Sequence, residues 1–499
     1  MFFEFICVII LILLIIYYKL IEKPRQIYNA LRLQGIPGDP FIPIFGQLKE
    51  HRRYYESDKH MEFYMDLEKK HGSRFILAIG PIVNLVILDA DLISEVLIKK
   101  YAFYKKPKLF RTQIGSVLGP VNLILAEGDV HTRIREMLNP AFHYINLQSL
   151  TSLMCQETVK VIESWINKYS NTYFDIQTEV HKLSLTIICS SSFGMTVTHE
   201  LTNELCQLLK DAFDALYYRT NHFPIFQIPI LNKLPILKKP VIDKLGHRFR
   251  SLARQMIEQR RCHMNENHSD QNDLLDLLLT AEDKEGKKFS DEEIENEAIT
   301  FVLAGHETTG GLLSWCLYIL LTNPEVFNDC REEVDRVLNG QIPDYSDLQH
   351  LIIIDAVLHE TLRLYPPVSI IMRECIREHT IGEEEIRIPV GAGVVFNFYN
   401  LHRSDKYWKD PLKFDYQRWI RNSNGLKPKL AHRFCYLPFL AGVRNCIGQN
   451  FGLLEAKIVL IIMIQKLNIE IKPDHKVVPH HRITLKAKYG IQAKIQPRV

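Results

Sequence analysis

Hydrophobic and polar positions follow three different rhythms along this chain. Near the N-terminus there is no alternation: residues run apolar from Phe5 to Tyr18, and Lys19, Lys23 and Arg25 follow. With Phe2, Phe3 and Leu20 the run approaches the ~20 mostly apolar residues that a membrane-spanning helix needs. No small-residue cleavage pattern follows it, and its positive charge lies after the run, so it reads as a retained anchor rather than a signal peptide. Positive flanks stay cytoplasmic, which predicts a cytoplasmic body. Pro37, Pro40 and Pro43, around Gly38 and Gly46, stiffen the next stretch into a hinge. The expected organisation is an anchor over 1–22, a linker and proline-rich hinge over 23–48, and one main body over 49–499.

From about residue 50 to 330 the rhythm is helical. The stretches "SLTSLMCQETVKVIESWINKY" and "NELCQLLKDAFDALYY" space apolar residues at three and four. Ser290 followed by Asp291, Glu292 and Glu293 is a helix start, and Asn323-Pro324 is a stop. Between them the spacing predicts one helix of roughly thirty residues, beyond the usual range, and apolar nearly all round in its middle. It should run through the core. Two more helices are predicted in "PEVFNDCREEVDRVL" and "LIIIDAVLHETLRLY". The third rhythm, strand-like, appears in "VGAGVVFNFYNLHR" and "HRITLKAKYGIQAKIQ". The fold class is mainly α with small β-sheets.

Composition narrows the chemistry. A formal charge of +3 over 499 residues gives no support to nucleic-acid binding. The ten cysteines form no CxxC pair, which excludes a disulfide framework or a paired-cysteine zinc site and suits a reducing compartment. P-loop, GxSxG and GxGxxG patterns are absent, and neither His-Glu dipeptide is completed as a zincin motif. The chain carries no nucleotide or flavin motif of its own.

Three constellations remain. In "AGHETT" of the long helix, Glu307 and Thr308 are polar groups in an apolar element, and Gly305 and Gly310 each cost about 1 kcal/mol there. Either Glu307 is paired or employed, or the helix bends at its glycines and lets it reach solvent. Ala304 and Thr308 share a face and would border one cavity. In "HETLRLYPP", Glu360 and Arg363 can pair at i and i+3, a weak signal alone. In "FLAGVRNCIG", Cys446 sits between Gly442 and Gly448, two residues after Arg444 and before an apolar helix. Backbone N–H groups at a helix start favour a thiolate there, and the glycines leave room for a flat ligand. No second ligand stands nearby, so a single axial thiolate on haem iron fits better than zinc.

Taken in order, "AGHETT … ExxR … FxxGxxxCxG" resembles a microsomal cytochrome P450, a haem-thiolate monooxygenase, over nearly the whole chain. The wording of "GDVHTRIREMLNPAFH", "CIGQNF" and the C-terminal tail looks most like the family 4 clan, especially its insect members. The resemblance implies the triangular-prism P450 fold for the body, and haem b as cofactor. It makes Cys446 the axial ligand and iron's metal contact, shielded by Phe439. Arg444, Arg373 and Arg135 match the positions that hold the haem propionates. Glu360, Arg363 and Arg418 match a buried Glu-Arg-Arg network bracing the thiolate loop, and Glu307 with Thr308 match the acid–alcohol pair of proton delivery.

Three positions depart from the family pattern. His131 replaces a usual tryptophan and is still able to donate to a propionate. Val443 replaces a loop proline. Ala304 stands where many family 4 members esterify the haem through glutamate, so no covalent link is expected.

The implied reaction inserts one oxygen atom from O2 into a lipophilic substrate: a fatty acid, an insect hormone or terpenoid, or a xenobiotic such as an insecticide. Expected pocket segments are 106–125, 301–308, 368–372 and 483–485. Electrons would come from NADPH through NADPH–cytochrome P450 reductase, docking near Lys427, Lys429 and Arg433. The expected location is the endoplasmic reticulum membrane, with the catalytic body cytoplasmic. A haem-thiolate isomerase or dehydratase acting on peroxides, and a non-catalytic haem-binding protein, are the alternatives.

Overall fold

The computed structural model describes residues 2–142, 144–194, 198–222, 234–266, 273–420, 425–426 and 428–498. Its centre is the long helix Asp291–Thr322, matching the expected span. Ser290 caps it: the hydroxyl accepts from the Glu293 N–H, and the Glu293 carboxylate accepts from the Ser290 N–H at 2.8 Å. That reciprocal pair satisfies two donors that every helix start leaves open.

This helix crosses Ile176–Phe193 closely, and the crossing explains its two costly glycines. A Cβ at Gly305 would lie 3.0 Å from two side-chain carbons of Ile188. One at Gly310 would lie 3.0 Å from the Cα of His181 and 2.9 Å from its Cγ. At Gly310 the helix closes on its neighbour's backbone and at Gly305 the Ile188 side chain fills the space of a Cβ, so the lost helix propensity is exchanged for dispersion contact at the crossing. Helices Gln449–Lys466 and Ile352–Leu364 pack on other sides of the central helix. Indole Nε1 of the fully buried Trp315 donates to the Leu485 carbonyl at 3.0 Å, fastening the core to the C-terminal hairpin Pro479–His481/Leu485–Ala487.

Strands interrupt the largely helical pattern expected over 50–330, the main ones near its start. Arg74–Ile79 and Ile82–Ile87 form an antiparallel hairpin. Their sequence is almost continuously apolar because the strands are buried on both faces, which hides the period of two. Ile82–Ile87 pairs in parallel with Gly393–Asn397, which pairs antiparallel with Ile370–Cys375, and Tyr104–Lys105 closes the five-stranded sheet. The expected strand in "VGAGVVFNFYNLHR" therefore covers only its middle. Asn397 then caps a single helical turn, Phe398–Leu401.

At the N-terminus, Phe2–Arg32 is a helix long and apolar enough to cross a membrane, with exposed apolar side chains along its first part. The first ten residues of the expected linker and hinge continue the helix. Lys23–Arg32 is helical and buries Ile27, Tyr28 and Leu31 with the sheet residues Ile76, Val83 and Leu85. Apolar spacing of three and four drives that docking.

Glu455, on Gln449–Lys466, is fully buried beside Ser184, and burial pushes its pKa from 4.5 to about 8. A folded-state pKa above the unfolded value means that stability is greatest below pH 4.5 and falls as pH rises to about 8, by ~1.4 kcal/mol per unit at most. Glu455→Gln is expected to flatten that slope in denaturant titrations between those limits; an unchanged slope would refute the assignment. Gly310→Ala is expected to lower stability by about 1–3 kcal/mol through overpacking, outweighing its ~1 kcal/mol helix-propensity gain. A raised urea midpoint would show that the helices separate freely.

Candidate active site

Cys446 lies on a loop whose geometry is set by the backbone. Its N–H donates to the Phe439 carbonyl at 2.9 Å, closing the loop on itself. Gly442 takes φ 75°, and a Cβ there would come within 2.7 Å of the Leu97 carbonyl oxygen. Glycine is thus required at 442 by the turn and by the neighbouring chain, a tighter reason than room for a ligand. At Gly448 a Cβ would meet only the Phe142 ring, at 3.9 Å. Phe142 in turn stacks on Phe301 of the central helix, with centroids 5.4 Å apart. Val443, the expected proline position, is exposed. Burial raises the Cys446 thiol pKa, while the Gly448 N–H and the Arg135 charge oppose it. The residue nevertheless keeps accessible surface.

Behind the loop Glu360, Arg363 and Arg418 come together in one buried network. Glu360 and Arg363 are both fully buried. Arg363 Nε and Nη2 grip the two carboxylate oxygens at 2.9 and 2.8 Å. The remaining guanidinium donors go to the carbonyls of His402 and Pro411, both at 2.7 Å, and of Lys413 at 3.0 Å. Arg418 Nε reaches Glu360 at 3.3 Å, and the Trp419 indole and the Asp415 N–H also donate to it, at 2.8 and 3.0 Å. His402 carries the network to the loop. The Leu437 N–H donates to Nε2 at 2.9 Å, so Nδ1 bears the proton and donates to the Arg363 carbonyl at 3.2 Å. Burial, then the Arg363 charge, lower the His402 pKa to about 3 and keep that neutral tautomer.

On the other side of the loop, cations gather. Arg373, Arg444 and Lys106 lie close enough to repel one another, with the Glu127 carboxylate among them. Burial and then Arg444 lower the Arg373 pKa to about 10, and burial with both arginines lowers that of Lys106 to about 7. His131 is buried nearby, lowered to about 3 by burial and by Arg444, Lys106 and Arg135. Arg444 pairs with Glu127 and donates to the Ala126 carbonyl at 2.7 Å. Arg135, expected among the propionate-holding arginines, grips Asn445 here, at 2.7 Å to the carbonyl and 3.0 Å to the side chain. Its charge therefore stands beside Cys446.

The central helix presents Ala304 and Thr308 half-buried, on a face that includes Phe301. The Thr308 hydroxyl donates to the Ala304 carbonyl at 2.8 Å. Glu307 is buried and straight within the helix, which removes the reading in which it reaches solvent. Its carboxylate accepts from Thr484 Oγ1 at 2.7 Å and from Lys486 Nζ, so Glu307 and Thr308 do not bond to each other.

Sequence reasoning missed Glu127, His402, Trp419 and Lys486, held Lys106 and Thr484 only as members of pocket segments, and gave Asn445 no role although it stands inside the cysteine motif. Each acts through a long-range contact that no local pattern announces. Of the expected docking residues, Lys429 and Arg433 are exposed, and Lys427 lies outside the described residues.

A thiol loop braced by a buried carboxylate–guanidinium pair, facing a glycine-bearing core helix, is matched by known proteins. The cytochrome P450 family profile covers residues 36–494. The chain is 29% identical to cytochrome P450 72A397 of Kalopanax septemlobus, over 94% of this chain and 92% of that protein. It is 27% identical to cytochrome P450 72A15 of Arabidopsis thaliana, over 94% and 93%. With the cytokinin hydroxylase of Arabidopsis thaliana it shares 30%, over 95% and 94%. The chain belongs to the cytochrome P450 family and is a monooxygenase. These relatives are plant proteins, and the expected placement among insect members of the family 4 clan finds no support in them.

Members of this family bind haem b through a cysteine thiolate. The residues present fit such a group. The Cys446 thiol is accessible, and the cations on that side of the loop outnumber their carboxylate, an excess that two propionates would neutralise. Arg363→Lys keeps the charge but loses the fork, leaving Glu360 and several carbonyls under-satisfied in a dry site. It is expected to destabilise the protein by about 3–5 kcal/mol and to lower haem content at purification, as read by absorbance per protein. Full haem incorporation in that variant would refute the bracing role.

Proposed function

We propose that this protein hydroxylates a lipophilic substrate, with Cys446 as the axial thiolate of haem b. The observation that carries this reading is the enclosed but accessible Cys446 thiol, flanked by the cation cluster and braced through His402. When bound, haem iron with its thiolate supplies the reductive activation of dioxygen. The protein's own part is positioning and proton management.

The Phe439 carbonyl fixes the Cys446 backbone, the Gly448 N–H and the Arg135 charge support a thiolate, and the Phe439 ring shields it. Arg373, Arg444 and His131, joined by Lys106, take the propionates. Ala304 offers no carboxylate for an ester link, so the cofactor is held without one. Thr308 keeps a proton at Oγ1, directed by the Ala304 carbonyl, and Glu307 is the acid that replenishes it.

Substrate enters between segments 106–125, 301–308, 368–372 and 483–485, whose mostly apolar side chains suit a lipophilic molecule. Relatives such as the cytokinin hydroxylase support hydroxylation as the reaction type. The helix Phe2–Arg32 supports a membrane location, and the basic residues within and after its apolar part support a cytoplasmic body at the endoplasmic reticulum. NADPH–cytochrome P450 reductase is the proposed electron donor, at the face that carries Lys429 and Arg433.

The test is reconstitution with that reductase and NADPH. The reduced protein should give a thiolate-type carbon monoxide spectrum that Cys446→Ala abolishes; persistence of that spectrum in the variant would overturn the ligand assignment. Thr308→Ala should divert NADPH from product to hydrogen peroxide roughly tenfold or more. Unchanged coupling would remove Thr308 from proton delivery.

A further inference from the structure

Glu307 raises a problem that its proposed role leaves open. A carboxylate that relays protons must be ionised between turnovers, yet this one is 5% exposed in the centre of an apolar helix. Its surroundings resolve the problem. Lys486 Nζ stands 2.8 Å from Oε1 and 3.0 Å from Oε2, and Thr484 Oγ1 donates to Oε1 at 2.7 Å. Both donors come from the C-terminal hairpin, whose placement is fixed by Trp315 Nε1 on the Leu485 carbonyl and by the Leu485 N–H on the Pro367 carbonyl. The Lys486 side chain is 34% exposed, so it joins the buried acid to solvent.

The other groups facing Glu307 do not balance its charge. His306 Nε2 lies 3.5 Å away and His181 Nε2 4.0 Å away. Each histidine has its Nδ1 against a backbone carbonyl, of Val302 at 3.1 Å and of Gln177 at 3.0 Å. Burial lowers both histidine pKa values, that of His181 to about 3, so both are neutral. The Cys206 thiol is raised by burial to about 12 and is neutral as well. Lys182 is engaged with Glu179 at 2.9 Å. His181 Nε2 is buried without a hydrogen-bond partner, aimed into the space beside the Glu307 carboxylate. It supplies a polar wall there.

We propose that Lys486 is a positioning residue for the monooxygenase reaction: its ammonium, with the Thr484 hydroxyl, keeps Glu307 ionised and turned toward the solvent side. This rests on the reading of Glu307 as the acid that replenishes Thr308. The ionised carboxylate accepts a proton from water at the Lys486 side and releases it toward Thr308 Oγ1. Lys486 keeps its own proton throughout, and one proton enters for each that leaves. A neutral Glu307 has no refill. Burial raises the Glu307 pKa, and the Lys486 charge is the largest influence that lowers it below the usual carboxylate value. Two other buried carboxyl groups in this protein, Glu297 and Glu455, lack a cation and stand at about 8. Removing Lys486 should send Glu307 toward their range.

The test compares the parent holoenzyme with Lys486→Met, Lys486→Arg and Lys486→Met/Glu307→Gln. At neutral pH, Lys486→Met should gain an infrared carbonyl band of a protonated carboxyl group, absent from the parent and from the double variant. Product formed per NADPH should fall roughly tenfold in Lys486→Met, with a new dependence on pH near neutrality, and should recover in Lys486→Arg. Where Lys486→Met fails to fold, Lys486→Gln keeps a donor without the charge and carries the same expectations. Absence of the new band, or parental coupling in the uncharged variants, would overturn the proposal. If the band appears while Glu307→Gln couples like the parent, the Lys486 clamp stands and the proton-delivery reading of Glu307 falls.

Discussion

A guanidinium whose donors are all spent on protein oxygen holds the proximal half of this molecule together. Arg363 binds one carboxylate and three carbonyls from residues 402–413, segments with no other reason to converge. Its burial would be ruinous alone; Glu360 neutralises it, and the carbonyls use the remaining donors. The result is a rigid platform on which His402 Nε2 accepts a hydrogen bond from the Leu437 N–H, at the entrance of the cysteine loop. The loop carries little packing of its own. Its shape is borrowed from that platform on one side and from Arg135 on Asn445 on the other.

The distal side is governed by a different constraint, the close helix crossing at Gly305, against the Ile188 side chain, and at Gly310, against the His181 Cα. Close approach fixes the central helix against Ile176–Phe193, so Phe301, Ala304 and Thr308 have a fixed relation to the thiol loop. The same approach leaves Glu307 enclosed, and enclosure is what makes a cation from the C-terminal hairpin necessary. Packing and electrostatics are one arrangement here, since the tight crossing that orders the helix also dries the acid.

Much of this was legible from sequence where the signal is local. Ser290 with Glu293, the stop at Asn323-Pro324 and the Glu360–Arg363 spacing each describe a few neighbouring residues, and the structure has them as read. Gly305 and Gly310 announced a compensation without naming it, because the compensating partner lies more than a hundred residues upstream. The hairpin over 74–87 was missed because burial on both faces erases alternation. Arg135 and Glu307 were identified as important but given incomplete partners: Asn445, Lys486 and Thr484 reach them only through the fold. Motifs told which residues matter, and tertiary contact decided what each one touches.

The parallel pairing of Ile82–Ile87 with Gly393–Asn397 has a consequence for biogenesis. The N-terminal hairpin emerges from the ribosome with an unpaired apolar edge, and its partner strand follows about 300 residues later. At ordinary translation speeds that interval is roughly 15 to 60 s, long for an open strand edge in a crowded cell. During it the edge is a template for any extended chain nearby. The sheet that frames this enzyme is completed only when synthesis is more than three-quarters done, so its nascent form depends on being sheltered until then.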